Sequence, residues 1–298
     1  DDEGPAEKRN RVEVQKGPLP LVRICTLPRV RAIVEDWFGQ RFAGPSPAQR
    51  LAWPHILAGR STLITAPTGS GKTLAAFLCA IDRMVFDPAP AVRGVRILYI
   101  SPVKALARDV ERNLQEPLKG ICDLARERGE PHRIPVVAVR SGDTPQNERQ
   151  KMRRQPPDIL ITTPESLFLI LTSDARAMLA TVDTVILDEI HAIVGTKRGA
   201  HLALSIERVA KLAGRPIQRI GLSATSRPLD LVARFLAGSK GRKVEIVDAS
   251  KKRVFDVRVE SAVTDMTALP RETIETPGPA QAGPGVERPW MGSGTSSS

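Results

Sequence analysis

The stretch Ala66 to Thr73 lies between an apolar β-branched run and a helix-forming run, and its residue types suit phosphate binding. Two glycines allow consecutive backbone N–H groups to turn towards a phosphate, and the following helix adds its positive N-terminal end. Lys72 supplies a point charge, and the Thr73 hydroxyl can ligate Mg²⁺. An ordinary Gly-rich turn needs neither residue there. The nucleotide-binding residues are therefore predicted to be Ala66, Pro67, Thr68, Gly69, Ser70, Gly71, Lys72 and Thr73.

A second candidate for phosphate chemistry is the stretch Thr184 to His191, an apolar strand that runs into two acids and a histidine. Nucleotide hydrolysis needs one carboxylate to hold Mg²⁺ and another to orient or deprotonate the attacking water. We predict Asp188 for the metal and Glu189 for the water, with Lys72 as the third catalytic group. The alternative is a solvated acidic turn, but the upstream nucleotide loop favours catalysis. Beside these acids, His191 is a candidate for relaying the nucleotide state to another element.

The elements that must position these residues alternate between strand and helix patterns. Nearly continuous apolar runs predict a parallel sheet with helices on both faces, and ligands in such sheets bind beyond the carboxyl ends of the strands. The predicted strands are Ser61 to Thr65, Val95 to Ile100, Pro135 to Arg140, Asp158 to Thr162, Thr184 to Leu187 and Gln218 to Leu222. The motifs above follow two of them, so they are expected at one edge.

The composition is compatible with a polyanionic partner, and it argues against a disulfide-rich, zinc-binding or membrane-spanning protein. The chain has 298 residues, 41% of them hydrophobic, and a net charge of +11 carried mostly by arginine. Cys25, Cys79 and Cys122 are scattered, which predicts neither a disulfide framework nor a zinc site and fits a reducing cytoplasm. No apolar stretch approaches the roughly 18 residues of a membrane span, and the N-terminus is unlike a signal peptide.

The two ends differ in composition from the centre. Residues 1–20 and 271–298 are rich in Pro, Gly, Ser and charge, and we expect both to be disordered. Residues 21–240 are expected to form one α/β domain, and residues 241–270 to begin a connection to a further domain.

Six motifs, in order along the chain, resemble those of superfamily 2 DEAD/DEAH-box helicases. They are Gln49, the loop that ends at Lys72-Thr73, Ser101 to Leu106, Thr162 to Ser166, Asp188 to His191, and Ser223-Ala224-Thr225. Two further stretches, Ser141 to Pro145 and Val194 to Ser205, are similar to the large helicase-related group, Lhr. The resemblance runs from about Leu27 to Met266 and implies a RecA-like, P-loop motor domain that hydrolyses ATP with Mg²⁺ while moving on nucleic acid.

The resemblance also assigns roles to individual residues. Gln49 would bind the adenine edge, although a polar residue at a helix start is the alternative, and the spacing of Phe38 and Phe42 leaves the stacking partner of the base open. Ser223 and Thr225, with His191, would couple hydrolysis to movement. Nucleic acid, DNA in preference to RNA, would be bound through its sugar-phosphate backbone. The candidate side chains are Ser101, Lys104, Thr163, Lys197 and Arg198, with Arg140 weaker; a solvated basic loop is the alternative for Lys197 and Arg198.

The sequence after Thr225 shows no second nucleotide-facing α/β unit. In these motors an arginine from a second RecA-like domain reaches the γ-phosphate. We therefore expect weak ATP hydrolysis and no unwinding by this chain alone. Two other classes remain open: a P-loop ATPase that translocates or switches without separating strands, and a catalytically silent nucleic-acid-binding fragment.

Overall fold

A computed structural model describes residues 30–88, 90–224 and 228–250, and its centre is a seven-stranded, all-parallel sheet. The strands are β1 (Ser61–Thr65), β2 (Ile97–Ile100), β3 (Val137–Arg140), β4 (Ile159–Thr162), β5 (Thr184–Leu187), β6 (Gln218–Ser223) and β7 (Val244–Asp248). Their order across the sheet is β3-β4-β2-β5-β6-β1-β7. The predicted parallel α/β fold is confirmed, and all six predicted strands are present within two residues of their expected ends.

Eight α-helices connect or flank the strands in the described part of the chain. They are α1 (Ala32–Arg41), α2 (Pro47–Leu57), α3 (Lys72–Phe86), α4 (Lys104–Glu127), α5 (Gln146–Arg154), α6 (Pro164–Leu171), α7 (Lys197–Ala213) and α8 (Leu229–Ala237). None of them is long and apolar enough to cross a membrane.

Two apolar cores cover the two faces of the sheet, because successive side chains of a strand point to opposite faces. In β2, Ile97 and Tyr99 pack with α1 to α4, whereas Leu98 and Ile100 pack with α6 to α8. The central strands β1, β2, β4 and β5 are buried at every position, which explains their continuous apolar sequences.

The seventh strand, β7, was not predicted and lies in the segment expected to leave the domain. It pairs with β1 from Ser61↔Val244 to Thr65↔Asp248, so the sheet continues past residue 240. Its sequence, Val-Glu-Ile-Val-Asp, is only partly buried because β7 forms an edge. The expected disordered ends, residues 1–20 and 271–298, lie outside the described residues.

A close backbone approach fixes the start of α7 against the acidic motif. A Cβ on Gly199 would overlap the backbone carbonyl oxygen of Ile193, and that oxygen also accepts a hydrogen bond of 2.7 Å from the Thr196 hydroxyl. Thr196 in turn caps α7 by accepting a hydrogen bond from the Gly199 N–H. Only glycine allows this packing, because the obstructing atom belongs to the backbone.

We predict that Gly199→Ala lowers the free energy of unfolding by about 1–3 kcal/mol, because the added methyl group forces a backbone shift. Urea-induced unfolding followed by circular dichroism measures the change. Gly39→Ala is the matched control: it lies inside α1 with open space around its Cβ, so it should be neutral or stabilise by up to about 1 kcal/mol. Equal stability of the two variants would contradict the packing argument.

Candidate nucleotide and nucleic-acid site

The loop between β1 and α3 has the backbone shape that encloses a phosphate. Gly69 and Gly71 have φ values of 77° and 78°, a left-handed conformation that favours glycine. A Cβ on Gly71 would lie 2.6 Å from the Gln49 side-chain nitrogen, so a larger residue would also displace the Gln49 amide. Lys72 and Thr73 are the first two residues of α3, whose N-terminal N–H groups face the loop.

Lys72 is held inside this loop by its own backbone. Its ammonium group donates hydrogen bonds of 2.6 Å to the Ala66 carbonyl and 2.8 Å to the Pro67 carbonyl. Burial lowers the pKa of Lys72, and the charges of Glu189 and Asp188 oppose that shift. The ammonium is thus placed between the loop and the acidic pair, where phosphate oxygens would replace the two carbonyls.

Asp188 is fixed at both carboxylate oxygens. The Tyr99 hydroxyl donates a hydrogen bond of 2.5 Å to one oxygen, and the Glu189 N–H donates one of 2.9 Å to the other. Tyr99 is buried and stacks on Phe77 of α3, with ring centroids 5.3 Å apart. Burial, then the charge of Asp188, raises the pKa of Tyr99 well above its usual value, so the hydroxyl remains a donor.

Glu189 adopts a left-handed backbone conformation, with φ of 44°. Among the described residues it is the sole non-glycine residue with positive φ, and such strain is typical of functional sites. The turn directs the chain from β5 into a short 3₁₀ helix, Ile190–Ala192. It places the Glu189 carboxylate at the same cavity as Asp188 and Lys72.

These groups line one open cavity of about 540 Å³ at the carboxyl edge of the sheet. Thr68, Gly69, Gly71, Lys72 and Thr73 line it from the loop, together with Asp188 and Glu189. Among the described residues, the cavity included, no three His, Cys, Asp or Glu side chains converge as metal ligands. Proteins commonly hold Mg²⁺ through one or two carboxylates and the phosphates of the substrate. The predicted ligands, the Thr73 hydroxyl and the Asp188 carboxylate, both line the cavity and are oxygen groups of the kind Mg²⁺ prefers.

Gln49 lies in this cavity but its side chain is already engaged. It accepts a hydrogen bond of 2.9 Å from the Ser46 N–H and donates one of 3.3 Å to the Gly71 carbonyl. Ser46 completes a capping box at the start of α2 and donates to the Ser70 carbonyl at 2.7 Å. In this arrangement Gln49 therefore fastens α2 to the phosphate loop, which supports the helix-start interpretation.

His191 connects the acidic motif to the end of β6. Its Nδ1 atom lies 3.3 Å from a Glu189 carboxylate oxygen and accepts a hydrogen bond of 3.3 Å from the Ala224 N–H. Ser223 is the last residue of β6, paired with Thr65 just before the phosphate loop, while Thr225 lies outside the described residues. The predicted coupling residues His191 and Ser223 thus lie next to residues of the site, Glu189 and Thr65 respectively, although neither lines the cavity.

The predicted nucleic-acid residues lie along the same edge, but two of their side chains are buried. The Ser101 hydroxyl donates to the Val103 carbonyl at 3.1 Å. The Thr163 hydroxyl caps α6 and donates to the Ser166 hydroxyl at 3.2 Å. We therefore revise the prediction of side-chain contacts from Ser101 and Thr163: they shape the edge, and the backbone N–H groups beside them remain the candidates for phosphate contact.

Two predicted basic contacts are paired with acids. Lys104 lies 2.8 Å from the Asp143 carboxylate, which lowers the pKa of Asp143. Arg198 makes a bidentate pair with Glu165, at 2.5 and 3.1 Å, and donates to the Pro102 carbonyl at 2.8 Å. Arg198 thereby ties α7 to the loops after β2 and β4.

Two further basic residues differ in exposure. Lys197 is exposed at the first position of α7 and has neither a hydrogen bond nor an ion pair within the described residues. Arg140 is buried at the end of β3, and burial together with Arg149 lowers its pKa. Lys197 is the most available phosphate contact of the predicted set.

Sequence reasoning missed Tyr99 and left open whether Phe42 stacks on the base. Tyr99 is the sole tyrosine of the chain and lies in an otherwise apolar strand, where a buried hydroxyl needs a partner. Phe42 is 42% exposed and lines the nucleotide cavity, whereas Phe38 is 1% exposed and packs in the core. Of the two phenylalanines considered, Phe42 is thus the one available to a ligand.

Relatives of this chain are named as Lhr helicases. It is 54% identical over 248 residues to the Lhr helicase/probable uracil glycosylase of Mycolicibacterium smegmatis, which covers 83% of this chain and 16% of that protein. It is 46% identical over 244 residues to the ATP-dependent helicase Lhr-Core of Methanocaldococcus jannaschii, covering 81% of this chain and 28% of that protein. The chain thus spans less than a third of the length of these relatives.

A solved structure and a family model agree. The structure of Mycobacterium smegmatis helicase Lhr bound to ssDNA and AMP-PNP superposes with a TM-score of 0.73 at 55% identity, over 83% of this chain and 31% of that chain. Residues 46–232 match the family model of the DEAD/DEAH box helicases. The chain belongs to the DEAD/DEAH box helicase family, and within it is similar to the Lhr helicases.

Proposed function

We propose that this chain is the ATP-binding RecA-like domain of a nucleic-acid motor, in which Mg²⁺-dependent ATP hydrolysis drives movement on DNA. One observation carries the proposal: the phosphate loop and the acidic pair line one cavity at the carboxyl edge of the parallel sheet, and His191 connects Glu189 to Ala224 at the end of β6. A non-unwinding translocase would share this cavity, so strand separation by the intact protein distinguishes the two.

Each catalytic group has a defined task in this proposal. Lys72 and the α3 N-terminus bind the β- and γ-phosphates, and Glu189 orients and deprotonates the attacking water. Mg²⁺, held by Thr73 and Asp188 with the phosphates, would neutralise the charge that develops on the oxygens. The strained backbone of Glu189 places its carboxylate on the cavity side of the turn.

The base of the nucleotide is proposed to stack on Phe42. The ring is exposed, lines the same cavity as Gln49 and Gly71, and is held by Phe38 at a centroid distance of 4.7 Å. Gln49 would bind the adenine edge only by exchanging one of its present hydrogen bonds. Gln49 would then both select the base and support the phosphate loop.

DNA is the proposed track because the Lhr neighbour at 55% identity was solved with ssDNA. Phosphates would contact the backbone around Ser101 and Thr163 together with Lys104 and Lys197, which gives affinity without sequence readout. We also propose that the protein binds this DNA in the cytoplasm.

We also propose that fast hydrolysis needs an arginine from a second RecA-like domain. No arginine of the described residues lines the cavity, where Lys72 is the sole cation. Arginine fingers contribute roughly 10³ to 10⁵ in rate in related phosphoryl transfers. A slow basal turnover by this chain is the expected consequence.

We predict that Lys72→Ala weakens AMP-PNP binding about 10- to 100-fold, because a charge-assisted contact with the phosphates is lost. Isothermal titration calorimetry measures the change. Lys211→Ala, which removes an exposed lysine near the end of α7, should leave affinity unchanged. Full affinity in the Lys72 variant would remove the loop from nucleotide binding.

Glu189→Gln should leave AMP-PNP affinity within about twofold and reduce ATP turnover about 10²- to 10⁴-fold, because the amide cannot accept the proton of the attacking water. Steady-state phosphate release with and without ssDNA provides the measurement. Glu127→Gln, on the exposed end of α4, serves as the control and should turn over normally. Normal turnover in the Glu189 variant would assign the base elsewhere.

Tyr99→Phe tests the positioning of Asp188. With one of its two donors removed, the carboxylate loses orientation, and we expect the Mg²⁺ concentration for half-maximal tightening of AMP-PNP binding to rise on the order of tenfold. Titration of Mg²⁺ against a fixed AMP-PNP concentration measures this, while affinity in EDTA should stay the same. An unchanged Mg²⁺ midpoint would contradict this role of Tyr99, because the Glu189 N–H alone would then orient the Asp188 carboxylate.

A further inference from the structure

The outer face of α6 and α7 presents an exposed aromatic ring just below the nucleic-acid edge. Phe168 of α6 is 37% exposed, and with Phe42 it is one of the two most exposed aromatic side chains in the described chain. Phe42 faces the nucleotide cavity, but Phe168 lines none of the five principal cavities. The mechanism above leaves this ring without a role.

Two side chains of α7 flank the ring and hold it in place. The His201 ring lies 4.7 Å from the Phe168 ring, centroid to centroid, at an angle of 57°. The Arg208 guanidinium lies 5.9 Å from the Phe168 centroid and donates to the Leu171 carbonyl at 3.3 Å. We name Phe168, His201 and Arg208 the aromatic platform. It joins a π-face to a fixed cation, a combination that favours stacked bases beside phosphates.

The platform is continuous with the phosphate-binding edge. α6 begins at Pro164 and α7 at Lys197, and both helices start at the carboxyl edge of the sheet. Phe168 and His201 each lie four residues after these starts, which is a rise of about 6 Å along each helix. A strand whose phosphates contact the backbone beside Thr163 and the Lys197 side chain would therefore lie about one helical turn from the ring.

The local charge also favours a polyanion. Glu165, the acid on α6 nearest the edge, is neutralised by its bidentate pair with Arg198, which lowers the pKa of Glu165. Lys197 is unpaired within the described residues, and Arg208 adds a second cation. The net charge of +11 provides the same bias over longer range.

We propose that the aromatic platform stacks a base of single-stranded nucleic acid whose phosphates contact the backbone beside Thr163 and the Lys197 side chain. This rests on the proposed nucleic-acid binding and adds a base contact to it. Backbone contacts provide most of the affinity and its salt dependence, while Phe168 provides a part that depends on bases and is insensitive to salt. A docking site for a protein segment is the competing use of this face.

The test measures the binding of fluorescent ssDNA to wild type and to Phe168→Ala at salt concentrations from about 50 to 200 mM. Over roughly this range, affinity that depends on phosphate contacts falls steeply. We expect a loss of about fivefold to tenfold at every salt concentration, with an unchanged slope of log affinity against log salt. Phe168→Trp should retain or strengthen binding. Leu231→Ala, an exposed aliphatic truncation on α8, should have no effect.

An oligonucleotide with abasic sites at every position separates stacking from a structural effect, because it keeps the phosphates and lacks the bases. The proposal predicts that wild type and Phe168→Ala bind this strand equally. An equal loss on both strands, or no loss on normal ssDNA, would overturn the proposal and leave the face to a protein partner. Failure of wild type to bind any ssDNA would overturn the proposed function as well.

Discussion

All seven strands of the sheet run parallel, and this single constraint places every functional segment at one edge. The chain turns after β1 into the phosphate loop, after β2 and β4 into the phosphate-binding edge, and after β5 into the acidic pair. Residues far apart in sequence thus become neighbours without long loops. The site inherits its rigidity from strands that are buried on both faces.

Within that edge, register determines which groups meet. Pairing of Ile100 with Leu187 brings the β2 and β5 ends together, and Tyr99 then donates to Asp188 from the adjacent strand. Pairing of Thr65 with Ser223 does the same for the phosphate loop and the end of β6. His191 connects the two halves, because its Nδ1 atom lies near Glu189 and accepts a hydrogen bond from the Ala224 N–H; this contact is the proposed route of coupling.

The fold and the convergence of Lys72, Asp188 and Glu189 on one cavity could be predicted because their signals are local: apolar runs for buried strands, and glycines, a lysine and acids at their ends. The Tyr99–Asp188 contact joins residues 89 positions apart and depends on strand order, which no local pattern encodes. The pairing of Arg198 with Glu165 was missed for the same reason, since it joins residues 33 positions apart. The hydroxyls of Ser101 and Thr163 instead bond to residues two and three positions away. β7 escaped prediction because an edge strand needs few apolar residues.

The central claim is that nucleotide chemistry and nucleic-acid binding are coupled through this edge. Steady-state ATP hydrolysis by the chain with Mg²⁺, measured across a titration of ssDNA, tests it most directly. The account predicts a low basal rate that rises with ssDNA until the track is saturated. A rate that stays constant while ssDNA demonstrably binds would contradict the account, because the two sites would then act independently.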